Sequence, residues 1–259
     1  MIIGSMDVVQ IDNSMYYTIC NINTHTNSSF FLLLIQSLLY INPNIKHDTG
    51  TGTGTDNRLT TQSIYTFPHL HCSHLHCSHF IKSLDEFILS NPFTIDTANL
   101  LLQSLYTQIH FFNENNIAIS FIDLNDIMTV DGTQFYFCNT DKMYTMKKNK
   151  SINITRFYDV NNHFIPPEFV QNLMMPFSTY YTSSFYSLAI IILFCLHYSH
   201  NMSTNELNNV PSSLLSSINK PVNISVYQYL LDKYKHSKIY YSLMQCIIQD
   251  PIQRKLFIL

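Results

Sequence analysis

The chain has 259 residues and a formal net charge of −3, with 12% charged and 46% hydrophobic residues. A typical soluble domain carries roughly 25% charged residues, so the polar surface here is built mostly from uncharged groups. The length is ample for a buried core. The apolar content excludes a disordered chain, the net negative charge excludes a strongly basic nucleic-acid binder, and only 5 glycines exclude a glycine-rich one.

Residues 1–22 read as β structure, with apolar stretches at Met1–Ile3 and Met15–Ile22 around a turn signal at Asp12–Asn13. Met1 to Asn13 holds no Lys or Arg and no long apolar run, so it lacks the pattern of a secretory signal. Asn27, Ser28 and Ser29 offer an N-cap for a helix over Phe30–Tyr40, which Pro43 ends. Thr49 to Thr55 alternates with Gly50, Gly52 and Gly54 and is expected to be a flexible loop or linker. Gln62–Phe67 predicts a short strand, and a duplicated pentapeptide follows, His69–Ser73 and His74–Ser78.

A long helix is predicted over Asp96–Asn113. The apolar pieces Ile117–Phe121 and Gln134–Cys138 bracket Asp131–Gly132, a hairpin signal. A basic loop runs from Lys142 to Arg156, and beyond Pro167 the pattern is of helices separated by polar loops. The apolar runs Phe30–Ile41 and Phe185–Leu196 fall well short of the ~20 residues of a membrane span. Six cysteines, several inside apolar segments, and the missing signal pattern point to a reduced, intracellular, cytoplasmic protein. The whole predicts an α+β fold, with a small β-rich lobe over residues 1–82 carrying insertions at 49–55 and 69–79, and a larger, mainly helical lobe over residues 83–259.

Several pieces, in this order, resemble the eukaryotic protein kinases. Asn42-Pro43-Asn44-Ile45 is similar to the stretch after the family's helix C, and Ser83-Leu84-Asp85-Glu86-Phe87 to the start of its helix D. Leu100–Phe112 is similar to helix E, and Asn116-Ile117-Ala118 enters the position of the catalytic loop. Pro166-Pro167-Glu168 resembles the motif closing the activation segment, Tyr186-Ser187-Leu188-Ala189 the start of helix F, and Asp250-Pro251-x-x-Arg254 the family's late Asp-Pro-x-x-Arg. The resemblance implies a bilobal kinase-like fold and an ion pair between Glu168 and Arg254.

The same alignment removes the chemistry. Phosphoryl transfer needs a phosphate-holding Lys, an acid on helix C, a glycine loop, a catalytic Asp and metal-binding Asn and Asp residues. No Lys or Arg precedes Lys46, the early helix holds no acid, and Gly4 is the sole glycine before Gly50. Ile119, Ser120 and Phe121 stand where His-Arg-Asp belongs, Asp123 at the usual Lys, Asp126 at the Asn, and Cys138-Asn139-Thr140 at the second metal motif. The five basic residues Lys142, Lys147, Lys148, Lys150 and Arg156 read as a solvated loop, with a docking patch for an acidic partner as the functional alternative. Ser151 and Thr155 lie among them as phosphorylatable positions, but the arginine that would receive such a phosphate is replaced by Ser120.

The function expected is that of a pseudokinase-like binding or regulatory scaffold with a protein partner, no nucleic acid, no membrane span and no cofactor. One alternative is a divergent active serine/threonine kinase using ATP and Mg²⁺ through Asp123, Asp126 or Asp141. Another is a metal-binding interaction protein built on the duplicated repeat, with His71, Cys72, His76 and Cys77 as ligands. That spacing matches no standard zinc finger, and a tolerated surface insertion is the simpler reading.

Overall fold

The computed structural model describes residues 2–3, 6–7, 9–10, 15–19, 28–41, 46–52, 60–66, 81–130, 132–172, 174–204 and 224–258. The duplicated repeat, with His71, Cys72, His76 and Cys77, lies outside them. The fold is α+β. Short strands Ile2–Ile3 (β1), Met6–Asp7 (β2), Val9–Gln10 (β3) and Met15–Ile19 (β4) precede helix Ser28–Ile41 (α1). Lys46–Gly52 (β5) and Thr60–Thr66 (β6) follow, and β3, β4, β6 and β5 form one antiparallel sheet in that order. The Thr/Gly run is therefore a strand through Gly52 and not a loop, with Thr49 opposite Ser63 and Thr51 opposite Thr61. Alternating β-branched threonines favour the extended backbone, and the ladder outweighs the freedom of the intervening glycines.

Ile81–Ser83 (β7) leads directly into helix Leu84–Ser90 (α2), whose cap Ser83 accepts the Glu86 N–H at 3.2 Å. Helix Ile95–Glu114 (α3) starts from Thr94, whose hydroxyl accepts the Thr97 N–H. Next come Ile117–Ile119 (β8), Ile127–Val130 (β9), Gln134–Phe137 (β10), Met143–Thr145 (β11) and Ser151–Ile154 (β12). Helix Pro167–Gln171 (α4), strand Phe177–Tyr180 (β13) and helices Ser183–Thr204 (α5), Ile224–Asp232 (α6) and Lys238–Cys246 (α7) complete the chain.

The hairpin around Gly132 differs from the expectation in its partner. β10 pairs with β9, with Val130 opposite Gln134, while β8 pairs with β11. The apolar run adjacent to the turn closes the smaller loop and wins the pairing. Gly132 sits at φ +67°, a left-handed backbone that favours glycine. The basic segment from Lys142 to Arg156 contains two strands, because Met143, Met146, Ile152 and Ile154 face inward and are buried. The strand β13 likewise interrupts the expected helical tail, pairing Ile152 with Thr179.

The main core surrounds α5, where every residue from Leu188 to Leu193 is buried. Such a helix is apolar on all sides because it is packed on all sides. Leu34 and Leu38 of α1 join this core through α3. Gln108, fully buried, ties three elements together: its amide donates to Ser37 Oγ (2.8 Å) and Phe137 O (3.0 Å) and its carbonyl accepts the Phe137 N–H (2.7 Å). A second cluster packs Phe121, Met146, Ile152, Ile154, Phe169 and Phe177 beneath the 143–181 segment. Among the described residues no helix is long and apolar enough to cross a membrane.

Candidate functional site

The candidate site grows from the segment between β8 and β9. Ile119 ends β8, buried and opposite Met143. Ser120 donates its N–H to Lys142 O at 2.9 Å, and Phe121 turns into the second cluster, edge-on to Tyr158 and Phe169 at 6.2 and 5.6 Å. The chain then makes a 3₁₀ turn, Leu124–Asp126, closed by a capping box. Asp123 Oδ1 accepts the Asn125 N–H (2.9 Å), and Asp126 Oδ2 reaches back to accept the Asp123 N–H (2.8 Å). That reciprocal cap fixes both carboxylates on one side of the turn.

The pairing of β8 with β11 carries Lys142, the residue just before β11, onto these carboxylates. Its Nζ lies 2.5 Å from Asp126 Oδ2, 3.3 Å from Asp123 Oδ2 and 4.0 Å from the centre of the Phe121 ring. The three ammonium protons thus have three electron-rich partners, two carboxylates and a π face. Asn139 donates to Asp126 Oδ1 (2.7 Å) and Asn162 to Asp123 Oδ2 (3.0 Å), so each of the four carboxylate oxygens accepts at least one hydrogen bond. Asp126 is only 3% exposed. Burial pushes its carboxyl above the ordinary carboxylate value, and the Lys142 ammonium pulls it back down. The Lys142 ammonium thus occupies the place between the two carboxylates where a cation would otherwise sit.

Asp123 and Asp126 are therefore brought together. Asp141 is not part of the pair: its side chain is 75% exposed and faces Arg156, 3.6 Å away. Cys138 directly follows β10, buried, with its N–H on Asp126 O at 2.8 Å and its thiol pushed up by burial. Among the described residues no three His, Cys, Asp or Glu side chains converge as a metal-binding group.

A second set of residues forms a structural clasp. Pro166 precedes α4, Pro167 opens it, and Glu168 points inward. Arg254 donates to Glu168 through Nη1–Oε1 (2.6 Å) and Nη2–Oε2 (2.8 Å), and Ser183 Oγ adds 2.7 Å to Oε1. Arg254 also donates to Ile248 O and Gln249 O and stacks 5.0 Å from Tyr186. Asp250 caps the turn Pro251–Gln253 that aims it, and Pro251 O accepts from Thr182 Oγ1. Ser187 and Leu188 are fully buried on α5.

Sequence reasoning missed Lys142, Asn139 and Asn162 as site residues. Lys142 lies in a basic run that looks uniform in sequence, and only the antiparallel register separates it from the others. Compared with known proteins, the chain matches no protein-family model and no curated sequence.

Proposed function

We propose that the chain is a protein-kinase-like scaffold whose catalytic centre is given over to an internal ion pair, and that it binds or regulates a protein partner without transferring phosphate. The observation that carries this reading is Lys142, whose ammonium sits 2.5 Å from Asp126, the residue aligned by the resemblance with a metal-binding position. Phe121, aligned with the catalytic base, has no group that accepts a proton and lies buried beneath the same ammonium. Two further contacts support the kinase-like part. Glu168 and Arg254, which the resemblance pairs, are hydrogen-bonded, and Cys138 at the second metal motif is bonded to Asp126 through the backbone.

Mg²⁺ fits this arrangement poorly as a resident ion. Mg²⁺ demands a near-octahedral shell of oxygens, whereas the oxygens of Asp123 and Asp126 already serve Lys142, Asn125, Asn139 and Asn162. Thermal-shift measurement with Mg-ATP, together with a phosphate-transfer assay on a general protein substrate, tests the reading. The expected outcome is no shift and no transfer. Transfer by the wild-type chain that disappears in Asp126→Ala would overturn it in favour of an active kinase.

A further inference from the structure

Resting on the scaffold reading above, we propose that the turn between β11 and β12 is the docking surface, and that it takes an acidic segment of a protein partner. Lys147, Lys148, Asn149 and Lys150 are all exposed, and they place three of the chain's 14 basic side chains on four consecutive positions. The other two cations of this stretch are engaged with acids, Lys142 with Asp123 and Asp126, and Arg156 with Asp141. Among the described residues no acid pairs with Lys147, Lys148 or Lys150. Among the described residues Lys147 Nζ meets Ser178 Oγ, at 3.4 Å.

The turn is a fixed platform. Lys147 N–H donates to Ser151 O (2.8 Å), Lys150 N–H to Lys147 O (2.9 Å) and Tyr181 N–H to Lys150 O (3.1 Å). Asn149 Oδ1 accepts from the Ser151 N–H and hydroxyl at 3.2 and 2.7 Å. Buried Met146 and Ile152 anchor the chain on both sides. A backbone already fixed in one turn loses less freedom on binding than a loose loop. Lys150 holds φ +61°, a conformation in which glycine or asparagine is far less strained. What a lysine adds there is its charge.

The sign and size of the patch define its partner. On a chain of net charge −3 it is a local field opposite to that of the whole molecule, which steers and orients an acidic segment. Four residues of strand and turn span on the order of 10 Å, enough for a short peptide. A long polyanion such as a nucleic acid would extend beyond the three lysines along a chain whose net charge is −3.

Fluorescence polarisation of a short, labelled glutamate-rich peptide against the full chain tests this at about 50 mM salt. Saturable binding is expected. It should weaken roughly tenfold or more in the triple variant Lys147→Gln, Lys148→Gln, Lys150→Gln, and again on raising salt to about 200 mM. Lys148→Glu alone should weaken it in the same direction, and the glutamine version of the peptide should not bind. The proposal falls if the wild-type chain does not bind the peptide or if the triple variant binds equally well. It also falls if a single-stranded oligonucleotide or a phosphatidylserine vesicle binds more tightly than the peptide. Phosphate transfer from Mg-ATP would remove the scaffold reading whatever these lysines do, so the two failures are distinguishable.

Discussion

Arg254 grips Glu168 through two parallel hydrogen bonds of 2.6 and 2.8 Å, joining residues 86 positions apart. Both are buried, the arginine at 3% and the glutamate at 8% exposure. The pair pins the start of α4 to the turn that follows α7, with Ser183 at the head of α5 as the third member. The segment carrying the proposed docking turn is thereby tied to the main core at its far end.

Removing one partner should cost far more than removing both. Arg254→Met leaves a buried carboxylate with one hydroxyl, and about 3–5 kcal/mol of stability is expected to go. Arg254→Met combined with Glu168→Leu leaves no orphaned charge and should recover part of that loss. Urea unfolding reads both through the midpoint at unchanged slope. A loss under about 1 kcal/mol in the single variant would show that the clasp is not a stability element.

Lys142→Met tests the internal cation through pH. It orphans Asp126 in a buried site, and a loss of about 3 kcal/mol is expected at neutral pH. Burial already holds the Asp126 carboxyl above its ordinary value, and the ammonium opposes that rise. Without Lys142 the folded-state pKa climbs further above the unfolded one. A group raised in this way contributes stability that is fully present below the unfolded pKa of about 4 and is lost as pH rises through the folded pKa. The deficit of the variant should therefore be smallest near pH 4 and widen toward pH 7. Chemical denaturation across that range checks it, and a deficit that widens toward acid would contradict the assignment.

The long helix α3 and the apolar run of α5 were legible in the sequence because their signals are local: Ile95–Glu114 covers the predicted 96–113, and Phe185–Leu196 lies within Ser183–Thr204. The cap Ser83 was met only as part of a motif, and its capping role emerges from the structure. The Glu168–Arg254 contact was legible only through motif resemblance, since nothing local links residues so far apart. Lys142 was not legible, because its role depends on Ile119 standing opposite Met143. The strand Ser151–Ile154 does alternate, with Ile152 and Ile154 inward, but the surrounding lysines hide that short period. The Thr/Gly run misled for the opposite reason: composition suggested a linker where the β6 ladder supplies the order.

Gly132→Ala should destabilise the β9–β10 hairpin. At φ +67° a side chain is strained, and a Cβ there would lie 2.7 Å from Phe87 Cε2. Phe87 is packed edge-on to Phe135 at 6.2 Å, so its ring has little room to yield. The strain and the clash together predict a loss of about 2–4 kcal/mol, measurable by denaturant unfolding. A neutral effect would show that the ring moves aside.

Gln108→Leu keeps the volume but removes the clip between α1, α3 and β10. Phe137 N–H and O and the Ser37 hydroxyl each lose a buried hydrogen bond to it. Unsatisfied buried groups cost about 1–3 kcal/mol each, partly relieved by local rearrangement. A net loss of about 3 kcal/mol is expected. Hydrogen exchange should locate it, with protection falling first along β10 and α1 while α5 remains protected.

Lys150→Gly separates the needs of the fold from those of the docking turn. The backbone at φ +61° suits glycine, so the variant should gain about 0.5–1 kcal/mol despite glycine's larger unfolded-state entropy. The same change removes one of three ammoniums and should weaken binding of the glutamate-rich peptide. Stability and affinity moving in opposite directions is the signature of a residue held for its charge against the preference of its backbone. If Lys150→Gly leaves both unchanged, the turn relaxes to another conformation and the lysine carries no cost. If it loses stability, Lys150 supports the fold through its side chain, and the patch reduces to Lys147 and Lys148.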